Sequence, residues 1–296
     1  IVELKREKIF EQEVDIDPSH PYLKEIPVPK DINELDIRVS LLASDGMELI
    51  SYQPVEKKES PMPGVARPPR PPEEITTVEE LYFTGLRLEQ FYNPSYDPLP
   101  YYEEALKRDA ADYRVNTAMG LLYLRKGRFD DAEKHLKIAV VRITSNYTKP
   151  RDGEAYYYLG LCQKYMGKYD EAYKNLYQAT WSYAYHSAAY YQLAEIDCRK
   201  ANYDKALDQL DRSISTNSNN TKAFNLKSAI LRKTGKPELA LEISSRTMDY
   251  DILDIWAMYE NYMAYKDLGK DEESRKTLTD IKGRMRDYIQ TYLELS

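Results

Sequence analysis

The spacing of apolar residues changes along the chain. Over residues 34–53, Leu35, Ile37, Val39 and Leu41 alternate with polar neighbours, Ser44-Asp45-Gly46 supplies a turn, and Glu48-Leu49-Ile50-Ser51-Tyr52 runs back. A period of two belongs to a strand with one covered face, so this segment predicts a β-hairpin. An earlier strand or strand pair is expected across residues 2–16. From about residue 76 the pattern becomes helical and self-similar. Gly160, Ala194, Ser228 and Tyr262 stand 34 residues apart, and Gly120 lies 40 before Gly160, the excess falling in the loop-like stretch from Thr144 to Gly153.

A period of 34 is that of the tetratricopeptide repeat, a helix–turn–helix unit that buries its apolar face only against its neighbours. The unit needs a small residue where its two helices touch, a turn glycine seven residues on, and alanines on the second helix. Met119, Gly120, Tyr123, Gly127, Ala132 and Ala139 meet this need, as do Leu159, Gly160, Gly167, Ala172 and Ala179. Leu193, Ala194, Ala201 and Ala206 follow, then Gly235 and Ala240, then Tyr265 and Gly269. A degenerate unit precedes them, with Leu81, Gly85 and Leu88 on its first helix and a second helix shortened by Pro98 and Pro100. The predicted fold is mainly α, a right-handed α/α superhelix of six helix pairs over about residues 76–282. Met285, Tyr288, Ile289, Tyr292 and Leu293 then follow helical spacing, with Arg284, Arg286, Asp287 and Gln290 opposite, as expected of a capping helix.

Between the two patterns, 7 of the 16 prolines fall within residues 54–72. That density excludes a packed helix or a central strand. The chain therefore divides into a β segment (1–53), a proline-rich linker (54–75) and the repeat array with its cap (76–296). Fifty-odd residues are too few for an immunoglobulin-like sandwich of about 100. The β segment is accordingly read as part of an incomplete one, with its missing strands upstream. The chain starts at Ile1 without a charged start and apolar run, so an export signal, if there is one, would also lie upstream, and no compartment is assigned beyond a lean to the cytoplasm.

The stretch from Thr77-Val78-Glu79-Glu80-Leu81-Tyr82-Phe83 to Gln90, followed by Asp152-Gly153-Glu154-Ala155-Tyr156-Tyr157-Tyr158-Leu159-Gly160, resembles the C-terminal part of a family of large, uncharacterised bacterial proteins. In that family a β-rich region similar to the sandwich of galactose mutarotases precedes smaller β domains and the repeats. The resemblance implies an architecture and carries no catalytic residue onto this segment.

Charge changes the picture little. Forty-two Lys and Arg against 49 Asp and Glu give a net charge of -7, which speaks against a nucleic-acid partner, and no apolar run is long enough for a membrane span. Residues 1–77 hold most of that excess, with 10 basic and 16 acidic residues. His20, His135 and His186 are scattered without zinc-ligand spacing, His135 reading as a solvated surface residue, and Cys162 and Cys198 read as packing residues. No phosphate loop, nucleophile elbow or dinucleotide fingerprint occurs. No catalytic residue, metal or cofactor is assigned, and this segment is not read as an enzyme.

What remains is the concave surface, toward which repeat geometry directs positions 2, 5, 9, 12 and 13 of each first helix. Position 5 is Tyr82, Thr117, Tyr157, Tyr191, Asn225 and Tyr259 in turn; positions 12 and 13 bring Lys164, Tyr165, Arg199, Arg232, Lys233 and Lys266. Tyr157, Lys164, Tyr165, Tyr191, Arg199 and Arg232 thus compose a tyrosine-rich, basic groove. It is suited to an extended acidic segment of a protein partner or to another domain of the parent protein. The plainer alternative is that these tyrosines are core aromatics, since Tyr outnumbers Phe 28 to 5, and that the cations solvate a surface. Trp181, Tyr183, Tyr185 and His186 form the densest aromatic run, with Tyr185 and His186 placed on the groove rim and Tyr173, Tyr177 and Trp181 at helix-packing spacing. A second reading makes the segment a non-catalytic C-terminal module of a carbohydrate-active enzyme, with carbohydrate a partner only through the parent protein.

Overall fold

The computed structural model describes residues 1–16, 22–29, 31–57, 62, 64, 67–146, 149–150 and 152–285. His20 and the cap positions beyond Met285 lie outside them. The chain separates into two compact units, Ile1–Pro68 and Pro69–Ser296.

In the first unit, β1 (Val2–Leu4), β2 (Glu7–Phe10), β3 (Ile37–Leu42) and β4 (Glu48–Tyr52) form one antiparallel sheet in the order β2-β1-β3-β4. The predicted hairpin is β3–β4. Its turn places Gly46 at φ +85°, and the Asp45 carboxylate accepts from the Met47 amide at 2.9 Å. β1 and β2 turn on Lys5 and Arg6, both at positive φ, as in the tight hairpin turns whose twist matches the strands. Val2 opposes Val39, Leu4 opposes Ile37, Leu41 opposes Ile50 and Val39 opposes Tyr52, so all seven share one face.

In the second unit, among the described residues, twelve helices form six antiparallel pairs: α1 (Val78–Gln90) with α2 (Leu99–Arg108), α3 (Tyr113–Arg125) with α4 (Phe129–Ile143), α5 (Glu154–Tyr165) with α6 (Tyr169–Ala179), α7 (Tyr183–Arg199) with α8 (Tyr203–Thr216), α9 (Thr221–Lys233) with α10 (Pro237–Tyr250), and α11 (Ile255–Asp267) with α12 (Asp271–Met285). Side-chain caps mark several starts. Thr77 accepts from the Glu80 amide, Asp112 from the amides of Arg114 and Val115, Asn220 from Ala223 and Asp254 from Ala257, each filling part of the unmet donor set of a first turn.

Within a pair the two helices approach most closely at the small residue read from the sequence. A Cβ on Gly120 would stand 2.5 Å from Leu136 Cγ, and one on Gly160 would stand 2.6 Å from Leu176 Cγ and 3.0 Å from the Leu176 backbone nitrogen. Later pairs admit slightly larger groups. Ala194 packs with Ala206 and Leu210, and buried Ser228 donates to the Ala240 carbonyl at 2.9 Å. The turn between helices needs a left-handed residue, which Gly127, Gly167, Gly235 and Gly269 supply; the α7–α8 turn uses Ala201 at φ +58° instead. One departure from the simple period carries through to the site. α7 begins at Tyr183, a turn earlier than the spacing places it, after a connector of only Thr180–Ser182.

Gly160→Ala is expected to cost about 2 kcal/mol, the scale of overpacking a filled core, because backbone as well as side chain would have to give. Ala201→Gly should stabilise by up to about 1 kcal/mol by removing left-handed strain. Denaturant unfolding followed by helical circular dichroism reads both; a neutral Gly160→Ala would show that the pair is not closed at this point.

Candidate functional site

The first helices of successive pairs lie side by side and in parallel. Tyr157 meets Tyr185 (ring centroids 5.2 Å), and two turns beyond, Lys164 Nζ donates to Gln192 Oε1 at 2.7 Å and to Glu195 Oε2 at 2.6 Å. The constant offset between these partners fixes the direction. Position-5 tyrosines Tyr82, Tyr157, Tyr191 and Tyr259 are half-buried on this face, whereas Thr117 and Asn225 at the same position are buried and bonded inward, Thr117 to the Tyr113 carbonyl and Asn225 to Asp254. Burial pushes the Tyr157 phenol up to about 12, with smaller contributions from Tyr158, Tyr165 and Glu195. Burial and then Glu195 push Tyr191 up as well.

The cations read as groove residues behave differently from expectation. Lys164 is held between Gln192 and Glu195, and Arg232 donates to Glu260 at 2.9 Å with Asp267 at 3.7 Å. Both are tied to carboxylates of the next unit, so neither is a free positive charge. Arg125 likewise pairs with Glu89 of the preceding unit. Tyr165 is exposed and stacks on Phe129 (5.8 Å). Arg199 ends α7, where its guanidinium lies 5.1 Å from the Tyr169 ring centroid and enters none of the ion pairs among the described residues. Tyr157 and Tyr191 therefore do not converge with Arg199 on one spot. Arg199 is eight residues, about 12 Å of helix, beyond Tyr191.

The aromatic run divides. Tyr185, in the added turn of α7, packs on Tyr157 and on Tyr158 (6.3 Å), and so joins the first-helix face. His186 instead turns inward, with Nδ1 2.9 Å from the Thr180 carbonyl and its ring on Tyr190. Trp181 packs edge-on against Tyr177 (6.5 Å), as helical spacing allows. His135 corrects the surface assignment. Its Nδ1 is 2.9 Å from Asn116 Oδ1, its ring stacks on Tyr123, and burial lowers its pKa, helped by Lys134.

Sequence reasoning also passed over the acids. Glu133 is buried between α4 and α5, accepting from Lys168 at 2.7 Å, Gln163 at 3.1 Å and Lys137 at 3.0 Å. Asp197 is buried two repeats on, in α7, taking bonds from Gln209 (2.9 Å) and Asn202 (3.1 Å) with Lys205 at 3.4 Å. On the first-helix face, a cavity of about 340 Å³ opens between α1, α3 and α5, lined by Tyr82, Leu86, Glu89, Arg114, Leu121 and Glu154 among others. Among the described residues no cluster of three or more His, Cys, Asp or Glu could hold a metal, and no helix is long and apolar enough to cross a membrane.

Residues 99–147 and 117–183 match the tetratricopeptide repeat family. The helical unit is a tetratricopeptide-repeat array. Residues 1–52 match a family described as YphG-like protein, second domain. Among solved structures, PilF of Pseudomonas aeruginosa is 15% identical over 74% of this chain and 96% of its own, with a TM-score of 0.61. YrrB, described as a TPR protein with an unusual peptide-binding site, is 18% identical over 65% and 96% with a TM-score of 0.52. MamA is 20% identical over 60% and 94% with a TM-score of 0.51. At these identities the likeness is one of fold. The tetratricopeptide fold is generally a non-catalytic scaffold for protein interaction.

Burial works against the charged form of Glu133, but the bonds from Lys168, Gln163 and Lys137 outweigh it and bring the pKa from 4.5 down to about 2. A depressed folded-state value stabilises the array above pH 4.5, and that contribution is lost as the pH falls from 4.5 toward 2. The loss should be about 3 kcal/mol. Glu133→Gln should be less stable at neutral pH and show a flatter acid limb. Equal limbs in the two proteins would place the acid sensitivity elsewhere.

Proposed function

We propose that this chain is a scaffold whose first-helix face binds an extended segment, supplied by a partner protein or by another domain of its parent. The observation that carries this reading is the cluster of half-buried tyrosines Tyr157, Tyr158, Tyr185 and Tyr191 on the parallel helices α5 and α7, with Tyr82 on α1 and Tyr259 on α11 half-buried at the same repeat position. Tyrosine supplies rigid contact area with a polar tip at small cost in side-chain entropy. Because Lys164 and Arg232 are already paired, the acidic residue of such a segment is assigned to Arg199, whose guanidinium retains its hydrogen-bonding edge while its face rests on Tyr169.

The sheet supports a companion proposal on domain limits, in which residues 1–53 form part of a sandwich, 54–75 the linker and 76–296 the array. On the apolar face of the sheet, Val39, Ile50 and Tyr52 are 45%, 67% and 69% exposed, more than a sheet with one finished core leaves open.

The test is a synthetic array of acetylated octapeptides probed with the whole chain, followed by calorimetry on the selected peptides. Arg199→Ala should weaken peptides that carry Asp or Glu by about 1.5–3 kcal/mol, the range for a hydrogen bond to a charged group, and leave the melting temperature nearly unchanged. Lys174→Ala, exposed on α6, should change neither. Unaltered binding by Arg199→Ala would remove Arg199 from the site, and failure to select any peptide would end the reading.

A further inference from the structure

The cavity between α1, α3 and α5 has an asymmetry of charge that the rest of the first-helix face lacks. Its two cations are engaged: Arg114 lies 3.2 Å from both Glu79 and Asp112 and rests over the Tyr82 ring, and Arg125 is paired with Glu89. Glu89 is engaged a second time, accepting from the Tyr102 hydroxyl at 3.2 Å. Glu154 has the Tyr185 hydroxyl beside it but no cation. It enters none of the ion pairs among the described residues, although it is half-buried at the start of α5. Burial raises its pKa, Asp152 and Glu89 add to the rise, and the Tyr185 hydroxyl opposes it. A half-buried carboxylate with acidic neighbours is costly unless a cation meets it.

We propose that this cavity receives the side chain of a lysine or arginine from the bound segment, with its charge set against Glu154. The inference rests on the first-helix reading above and names one side chain of the ligand. Leu86, Ala118 and Leu121 line the cavity and suit a methylene stem. Tyr82 lines it too, and Tyr158 and Tyr185 stand beside Glu154, so aromatic faces are available to a cation. The volume of about 340 Å³ holds one long side chain with room for water, and is small for a folded element. An acidic side chain would meet Glu154 and Glu89 without a free cation to answer it, so the same cavity rejects the opposite charge.

The octapeptide array decides this when each position is fixed in turn as Lys, Arg, Ala, Asp or Glu and probed with the whole chain, Glu154→Gln and Lys174→Ala. The unaltered chain and Lys174→Ala should prefer Lys or Arg over Ala at one position by tenfold or more, and Glu154→Gln should reduce that preference to threefold or less. Glu154→Gln should melt no earlier than the unaltered chain, since it removes an unpaired charge. Selection of Asp or Glu at that position, or a basic preference that survives Glu154→Gln, overturns the inference and leaves the first-helix reading standing. Selection of no peptide at all overturns both.

Discussion

Everything in the helical unit depends on how closely two helices can approach inside each repeat. Where Gly85, Gly120 and Gly160 leave no Cβ, Tyr102, Leu136 and Leu176 fill the space, and the pair closes with no room for a methyl group. That closure aims the other side chains. Tyr102, seated against Gly85, points its hydroxyl at Glu89, and Glu89 reaches the next unit through Arg125. The contact inside one repeat thus sets the polar contact between repeats, and in the first three pairs the closure follows from a distance fixed by a missing side chain.

Between repeats, the pairing is as much polar as apolar. Arg125 with Glu89, Lys168 with Glu133, Lys164 with Glu195 and Arg232 with Glu260 each join residues of adjacent units. Burial of Glu133 and Glu260 makes these pairs specific, because a slipped register would strand a charge in the interior. The same pairs neutralise the inner surface. A face that carries Lys164, Arg232 and Arg125 presents little net positive charge, because the acids that cancel them come from the neighbouring helices.

The fold was legible because its determinants repeat at a spacing that can be counted. Gly120, Gly160 and Ala194 announce themselves by period, and β3–β4 by alternation across a turn. The pairing of β1 with β3, across more than 30 residues of chain, has no such local mark. The candidate site was legible only in part for the same reason. Position 5 gives Tyr157 and Tyr191 correctly as first-helix residues, but position counting registers a cation and not its partner, and the partners of Lys164 and Arg232 lie 31 and 28 residues on. His135 read as solvated because the polar residues flanking it in sequence are not those that surround it in space; Asn116 and Tyr123 belong to the preceding helix. Glu154 stood only inside the motif that carries the family resemblance, with no role read from it. Tyr185 entered the face through one added turn at the start of α7, which the 34-residue register does not announce.

Neutralisation gives the unpaired charges of this face their weight. Across the inner face, long-range attraction from paired residues largely cancels, and Glu154 near the start of α5 and Arg199 at the end of α7 are two charges that enter none of the ion pairs among the described residues. They are opposite in sign and sit at opposite ends of neighbouring parallel helices, roughly 20 Å apart along the helix direction on the rise of an α-helix. An extended chain covers that span in about six residues. A segment with a basic residue and an acidic residue at that separation meets both charges in one orientation and neither in the reverse. On the binding reading, tyrosines supply the contact area and Glu154 and Arg199 supply direction, a division of labour in which electrostatics contributes selectivity more than affinity.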